Sequence, residues 1–320
     1  MTTSFYSNGK LLITGEYLVL DGALSLAIPT IYGQSLTVRP ISEKQLVWKS
    51  LDERGRIWFG ESYKLHASGE DDKLFEITTL PIDNKGSVPT SENRSVSDTL
   101  SCILTEARKL NPQFLTGNHG YEVTTSLNFP RDWGLGSSST LINNIAQWAK
   151  IDAYALLWNS FGGSGYDIAC ARHNTPITYQ LKDEQPKVSH APFYPPYKNE
   201  LYFIHLNKKQ NSKDGIAHYK SRELKIHAPI SQINSITQRI LTSTKLPQFE
   251  KLITKHEDIL SEILNVPPVK QRLFPDFKGA IKSLGAWGGD FIIATGNKNT
   301  PQYFNDKGFS TVIPYSRMAR

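Results

Sequence analysis

The chain has 320 residues, 39% of them hydrophobic and 21% charged, which are the proportions of a soluble globular protein long enough for two modest domains. Its net charge of +6 suits an anionic small-molecule ligand, while the even spread of Lys and Arg along the chain argues against nucleic acid as a partner. Cys102 and Cys170 stand far apart in apolar surroundings and read as buried thiols of a reducing cytoplasm, eight His without metal-ligand spacing argue against zinc, and the run 11–20, interrupted by Glu16, is too short to span a membrane.

In chain order, Ser7-Asn8-Gly9-Lys10 precedes an apolar strand Leu11-Leu-Ile-Thr14, a Gly15-Glu16 turn and a second apolar run from Tyr17 to Leu20. Strands are predicted over 24–28, 34–38, 45–48, 57–59 and 75–78, and the polar stretch 81–93 reads as a loop. Val96, Leu100, Ile103, Leu104 and Ala107 make a helical stripe. A strand follows over 121–129, then helices near 140–150 and 152–158, with a break at Gly162-Gly-Ser-Gly165. The proline-bearing stretch 182–198 reads as a domain linker. Beyond it come a strand at 201–206, two or three helices between 213 and 265, a stripe over 277–284 and terminal strands at 291–295 and 311–313. The pattern is α+β in two halves.

The most informative stretch is 121–150. Tyr121, Val123, Thr125, Leu127 and Phe129 alternate with polar residues, as in a strand with one buried face. Pro130 ends it, Gly134-Leu-Gly-Ser-Ser-Ser139 follows, and Leu141, Ile145, Trp148 and Ala149 recur on one helical face. A Gly/Ser loop opening into a helix N-terminus offers free N–H groups and the positive end of the dipole to an anion. The competing reading is a tight turn with Ser137 or Ser138 as helix cap. Neither the GxxxxGK[ST] nor the GxGxxG nucleotide fingerprint is present.

Gly9-Lys10, the loop Pro130-Arg-Asp-Trp-Gly134-Leu-Gly-Ser-Ser-Ser139 and Gly285-Ala-Trp-Gly-Gly-Asp290 together resemble, in order, the three motifs of the GHMP kinases, the superfamily of galactose, homoserine, mevalonate and phosphomevalonate kinases. Thr14-Gly-Glu-Tyr-Leu-Val-Leu20 and Gly163-Ser-Gly-Tyr-Asp167 look most like phosphomevalonate kinases, and Gly165-Tyr-Asp-Ile-Ala169 is also similar to a GYDIA-type branch. The resemblance implies a two-domain α+β fold: a ribosomal-protein S5-like ATP-binding domain over 1–185 and a ferredoxin-like domain over 186–320, with the site in the cleft between them. It implies ATP and Mg²⁺, with Gly134, Leu135, Gly136, Ser137, Ser138 and Ser139 around the phosphates and Ser137 or Ser138 giving a metal oxygen. Asp167 matches the acid that takes or orients the acceptor proton, beside Lys10. Glu16, Ser164, Gly165, Gly288 and Gly289 are carried over as substrate-side residues, although Glu16 and Asp290 are also readable as turn residues. Lys208, Lys209 and Lys213 form a basic cluster readable as substrate contact or as a solvated face.

The implied activity is phosphoryl transfer from ATP to a mevalonate-pathway acid, phosphomevalonate or mevalonate, in a cytoplasmic protein without nucleic-acid or membrane partners, a homodimer being left open. Three departures stand against it. Asn8 replaces the usual Pro, Trp287 replaces a small residue in the third motif, and no acidic residue falls in 153–165 where some relatives carry a metal-binding Glu. A kinase-like binding protein that transfers no phosphate, or a sugar or homoserine kinase, are the alternatives.

Overall fold

The computed structural model describes residues 1–65, 75–78, 91–208, 212–222, 226–287 and 289–320. Most of the loop expected at 81–93, together with Lys209 and Gly288, lies outside them, as do the side-chain surroundings of Lys213. In order come β1 (Thr3–Leu12), β2 (Ser25–Ile41), β3 (Gln45–Leu51), β4 (Ile57–Leu65), β5 (Phe75–Thr78), α1 (Ser91–Leu110), β6 (Gly120–Leu127), α2 (Ser137–Ala149), α3 (Ala153–Ser160) and α4 (Tyr166–Arg172). Then follow β7 (Ile177–Lys182), β8 (Gln185–His190), β9 (Leu201–His205), α5 (Ser212–Lys220), α6 (His227–Leu241), α7 (Leu246–Leu264), α8 (Val269–Leu273), β10 (Ile281–Ser283), β11 (Phe291–Thr295), α9 (Thr300–Asp306) and β12 (Val312–Pro314). The architecture is α+β, with a mixed sheet and a second, antiparallel one.

Two compact units divide the chain. One comprises residues 1–7, 32–131 and 136–172; the other comprises 8–31, 132–135 and 173–320. In the first, the C-terminal part of β2 pairs antiparallel with β6, β6 runs parallel to β3, and β4 and β5 continue the sheet. The alternation predicted for 121–129 holds: Val123, Thr125, Leu127 and Phe129 are buried. Leu36, Trp48 and Tyr63 from the strands join Leu104 of α1 and Ile145 of α2 in one core, where each large apolar side chain contributes about 1.5–3 kcal/mol. In the second unit, β9 lies between β11 and β12, and β10 pairs with the other edge of β11. Phe274, Phe277 and Phe304 pack on this sheet with Ile292 and Ala294.

Several expectations change. The strands expected at 24–28 and 34–38 are one strand, β2, because Pro29 keeps a pairing role through its carbonyl, which accepts from Arg320 N at 3.0 Å. Lys10 lies inside β1 rather than before it. The run from Tyr17 becomes a 3₁₀ turn, and residues 185–190, read as linker, form β8 against β7. The 277–284 stripe is a loop leading into β10; a short strand buried on both faces mimics a helical stripe because every residue is apolar or enclosed. Cys170 is buried as expected, but Cys102 is exposed, since it falls outside the apolar stripe of α1. Among the described residues, no helix is long and apolar enough to cross a membrane.

Candidate functional site

The glycine loop is built in two stages. Its first part, Asp132 to Leu135, belongs to the second unit. Trp133 packs edge-on to Phe291 of β11, and Asp132 O lies 3.2 Å from His205 Nε2 of β9. Lys10 then fastens it twice: its backbone N–H donates to Leu135 O and its Nζ donates to Gly134 O, both at 2.9 Å. Gly134 has φ 65, and a Cβ there would come within 2.6 Å of both carboxylate oxygens of Asp290. Only glycine allows this carboxylate to lie against the loop.

From Gly136 onward the chain belongs to the first unit. Gly136, at φ 90, stands at the N-cap of α2, and among the described residues no side chain caps this N-terminus. The capping alternative for Ser137 or Ser138 is therefore not what forms. Ser139 Oγ turns back to donate to Gly136 O at 2.9 Å, and no acidic residue occupies the first turn. The dipole and the N–H groups of the first turn remain available to an anion. A buried polar network anchors α2 behind the loop. Ser7 Oγ donates to Asn144 Oδ1 at 2.7 Å, Asn144 Nδ2 donates to Gln34 O at 2.9 Å, and Thr140 Oγ1 donates to Gln34 Oε1 at 2.7 Å. Asp167 sits in the first turn of α4, half-buried, with Oδ1 accepting from Ile168 N at 3.1 Å. α4 packs on α2, and the buried Ser164 and Gly165, at φ 89, lead into it.

The third glycine turn lies in the second unit. Asp290 N donates to Lys208 O at 2.7 Å and Asp290 O accepts from Leu206 N at 2.8 Å, so the turn's end is clipped to the strand exit of β9. Tyr17 OH donates to Ala286 O at 2.9 Å. Burial, then the nearby Glu16 and Asp290 charges, push the Tyr17 phenol up to about 12. Trp287 is buried, at φ 54, and donates from Nε1 to Glu257 Oε1 of α7 at 3.0 Å. Gly289 is buried beside Asp290.

Glu16 is not a solvent-facing turn carboxylate. It is buried and ion-paired with Lys282, whose Nζ also donates to Ser283 O at 2.7 Å. His256 Nε2 accepts from Gly15 N at 2.9 Å, so this imidazole is neutral and its 3.4 Å approach to Glu16 Oε2 is not an ion pair. Burial, and then Lys282, hold His256 well below its usual range. Burial likewise raises the Glu16 carboxyl against the pull of Lys282. Sequence reading missed this cluster and the Asp290–Gly134 approach. One signal was available: Phe249, Ile253, His256, Leu260 and Ile263 recur at alternate spacings of four and three, which places His256 on the core face of α7.

No family profile and no curated protein matches the chain. Among solved structures, it is similar to Streptococcus pneumoniae phosphomevalonate kinase in complex with phosphomevalonate and AMPPNP, with a TM-score of 0.65, 15% identity, and 95% of this chain and 95% of that chain covered. It is similar to Methanococcus jannaschii mevalonate kinase with a TM-score of 0.63, 13% identity, and 96% and 94% covered. Lactococcus lactis galactokinase complexed with galactose gives 0.58, 12%, and 96% and 88%. These neighbours are GHMP kinases, and the chain has their fold over nearly its whole length.

Proposed function

We propose that the chain is an ATP-dependent kinase of the GHMP type whose acceptor is a small mevalonate-pathway acid, phosphomevalonate or mevalonate. The observation that carries this reading is the glycine loop: an uncapped helix N-terminus at Ser137, entered through Gly136 at φ 90, with Lys10 bonded to the loop carbonyl of Gly134. The fold of the structural neighbours supports it, one of them solved with phosphomevalonate and AMPPNP. In this reading residues 1–185 form the ATP-binding half and 186–320 the C-terminal half.

The N–H groups from Leu135 to Ser139 hold the ATP phosphates, and Lys10 adds a cation where charge develops on the transferred group. Mg²⁺, when bound, neutralises phosphate charge. Ser137 or Ser138 would hold it together with Asp167. With mevalonate, the acceptor hydroxyl oxygen bonds to the γ-phosphorus as the bond to ADP breaks, and Asp167 takes the hydroxyl proton. With phosphomevalonate, a phosphate oxygen bonds to the γ-phosphorus as the bond to ADP breaks, and there is no hydroxyl proton for Asp167 to take. By resemblance to the family, Ser164, Gly165, Gly288 and Gly289 are carried over to the acceptor side, and Lys208 is a candidate for substrate contact. Glu16 contributes indirectly, through Lys282.

A coupled ADP-release assay over mevalonate, phosphomevalonate, homoserine and galactose tests the assignment. Turnover with one of the first two supports it; turnover with galactose or homoserine alone contradicts the acceptor. The absence of acidic residues in 153–165 favours a second reading, a ligand-binding protein without transfer. That reading predicts calorimetric binding of ATP with no ADP release.

A further inference from the structure

We propose that Glu257 is a positioning residue for the glycine loop: from α7 it holds Ser283 and Trp287, and through them the 285–290 turn whose Asp290 lies against Gly134. The proposal rests on reading residues 134–139 as a phosphate loop. Glu257 is buried, its Oε1 accepting from Trp287 Nε1 and its Oε2 from Ser283 Oγ, both at 3.0 Å. Trp287 occupies the left-handed region at φ 54, a conformation that costs a bulky residue energy and persists only where surroundings impose it. The Glu257 bond to its indole and the Tyr17 bond to the preceding carbonyl supply that restraint. The contacts then run on within one unit, from the turn to Asp290, from Asp290 to Gly134, and from Gly134 O to Lys10 Nζ. This also accounts for a large residue in a glycine turn: the indole points to α7 as an anchor.

The position needs a carboxylate. Two donors, one O–H and one N–H, each take a different carboxyl oxygen, so both oxygens accept, whereas Gln offers only one acceptor oxygen. Among the described residues, the charged and titratable groups around it are Lys282 from β10, Glu16 from the turn after β1, and His256 beside it on α7. One cation and two carboxylates around a neutral histidine form a cluster that takes up one proton to reach neutrality. Burial is the largest influence on Glu257, opposed by Lys282, and brings its carboxyl to about 7. Ionisation strengthens both hydrogen bonds, so the turn tightens as pH rises through neutrality.

The test uses full-length protein labelled with 5-fluorotryptophan, the Trp287 resonance being assigned by its loss in Trp287→Phe. Its ¹⁹F shift is followed from about pH 5.5 to about 8.5, and AMPPNP affinity is measured by calorimetry at about pH 8. The expected result is a wild-type titration with a midpoint near 7 that is absent in Glu257→Gln. The Kd for AMPPNP should rise about fivefold in Glu257→Gln and about twofold in Trp287→Phe, which retains the ring without the donor. A wild-type resonance that does not move, or a Glu257→Gln protein with wild-type Kd, overturns the positioning role alone. Wild-type protein that binds no AMPPNP overturns the phosphate-loop reading beneath it.

Discussion

At the scale of single residues, Glu257 makes a stability prediction separate from catalysis. Its carboxyl is raised from an ordinary 4.5 to about 7, so the native state keeps a proton that the unfolded chain has released. Stability therefore falls as pH rises from 4.5 to 7, by about 3 kcal/mol in total. His256 works in the opposite sense: native protein keeps it neutral, so stability falls as pH drops below 6.5. Urea unfolding of wild type and Glu257→Gln separates the two, because the His256 contribution is common to both. The difference in stability between the proteins should shift by about 3 kcal/mol in favour of Glu257→Gln between about pH 5 and about pH 8. Parallel pH profiles would contradict the assignment. Gly134 makes a second prediction. A methyl group there meets the Asp290 carboxylate and sits at φ 65, so Gly134→Ala should cost about 1–3 kcal/mol. Asp290→Gly removes the obstacle and suits its own φ of 51. In a double-mutant cycle the pair should cost less than the sum by about 1 kcal/mol, whereas strict additivity would mean that the two residues do not meet.

At the scale of elements, α2 is a helix whose N-terminus lacks what usually stabilises one. Among the described residues no side chain caps it, and its first turn holds no acidic residue. Ser138→Asp supplies the missing charge, so it should stabilise the fold by about 0.3–1 kcal/mol. The same carboxylate would occupy and repel the anion site, raising the Kd for ATP about tenfold or more. A thermal shift upward together with weaker ATP binding is the expected signature; unchanged ATP affinity would contradict an anion site at this helix end. The Gly/Ser loop and its flanking strand and helix were legible in the sequence because their demands are local: alternation for β6, glycine for left-handed φ, a stripe for α2. The network holding α2 was not, since Asn143 and Asn144 read as a polar face until Ser7 and Gln34 arrive from distant strands. For the same reason the buried Lys282 could not be anticipated, as a lysine is ordinarily solvated unless a partner such as Glu16 waits inside.

At the scale of the whole molecule, motif order and fold agree: Gly9-Lys10, the 134–139 loop and the 285–290 turn, spread across the chain, recur on a fold shared with GHMP kinases. The sequence could place the motifs but not their neighbours, because Asp290 reaches Gly134 across nearly half the chain length. Acceptor identity depends on side chains from segments without a local signature, so it too lay beyond the pattern. The central claim is that these parts transfer phosphate with Asp167 at the acceptor. It is tested most directly by ³¹P NMR of the protein with ATP, Mg²⁺ and either phosphomevalonate or mevalonate, run side by side for wild type and Asp167→Asn. With wild type, the ATP signals should give way to ADP and a newly phosphorylated acid. With Asp167→Asn, which keeps a hydrogen bond but cannot take a proton, the mevalonate reaction should slow by about 10²–10⁴-fold. ATP signals that persist with wild type, or equal rates in the two proteins, would contradict the account.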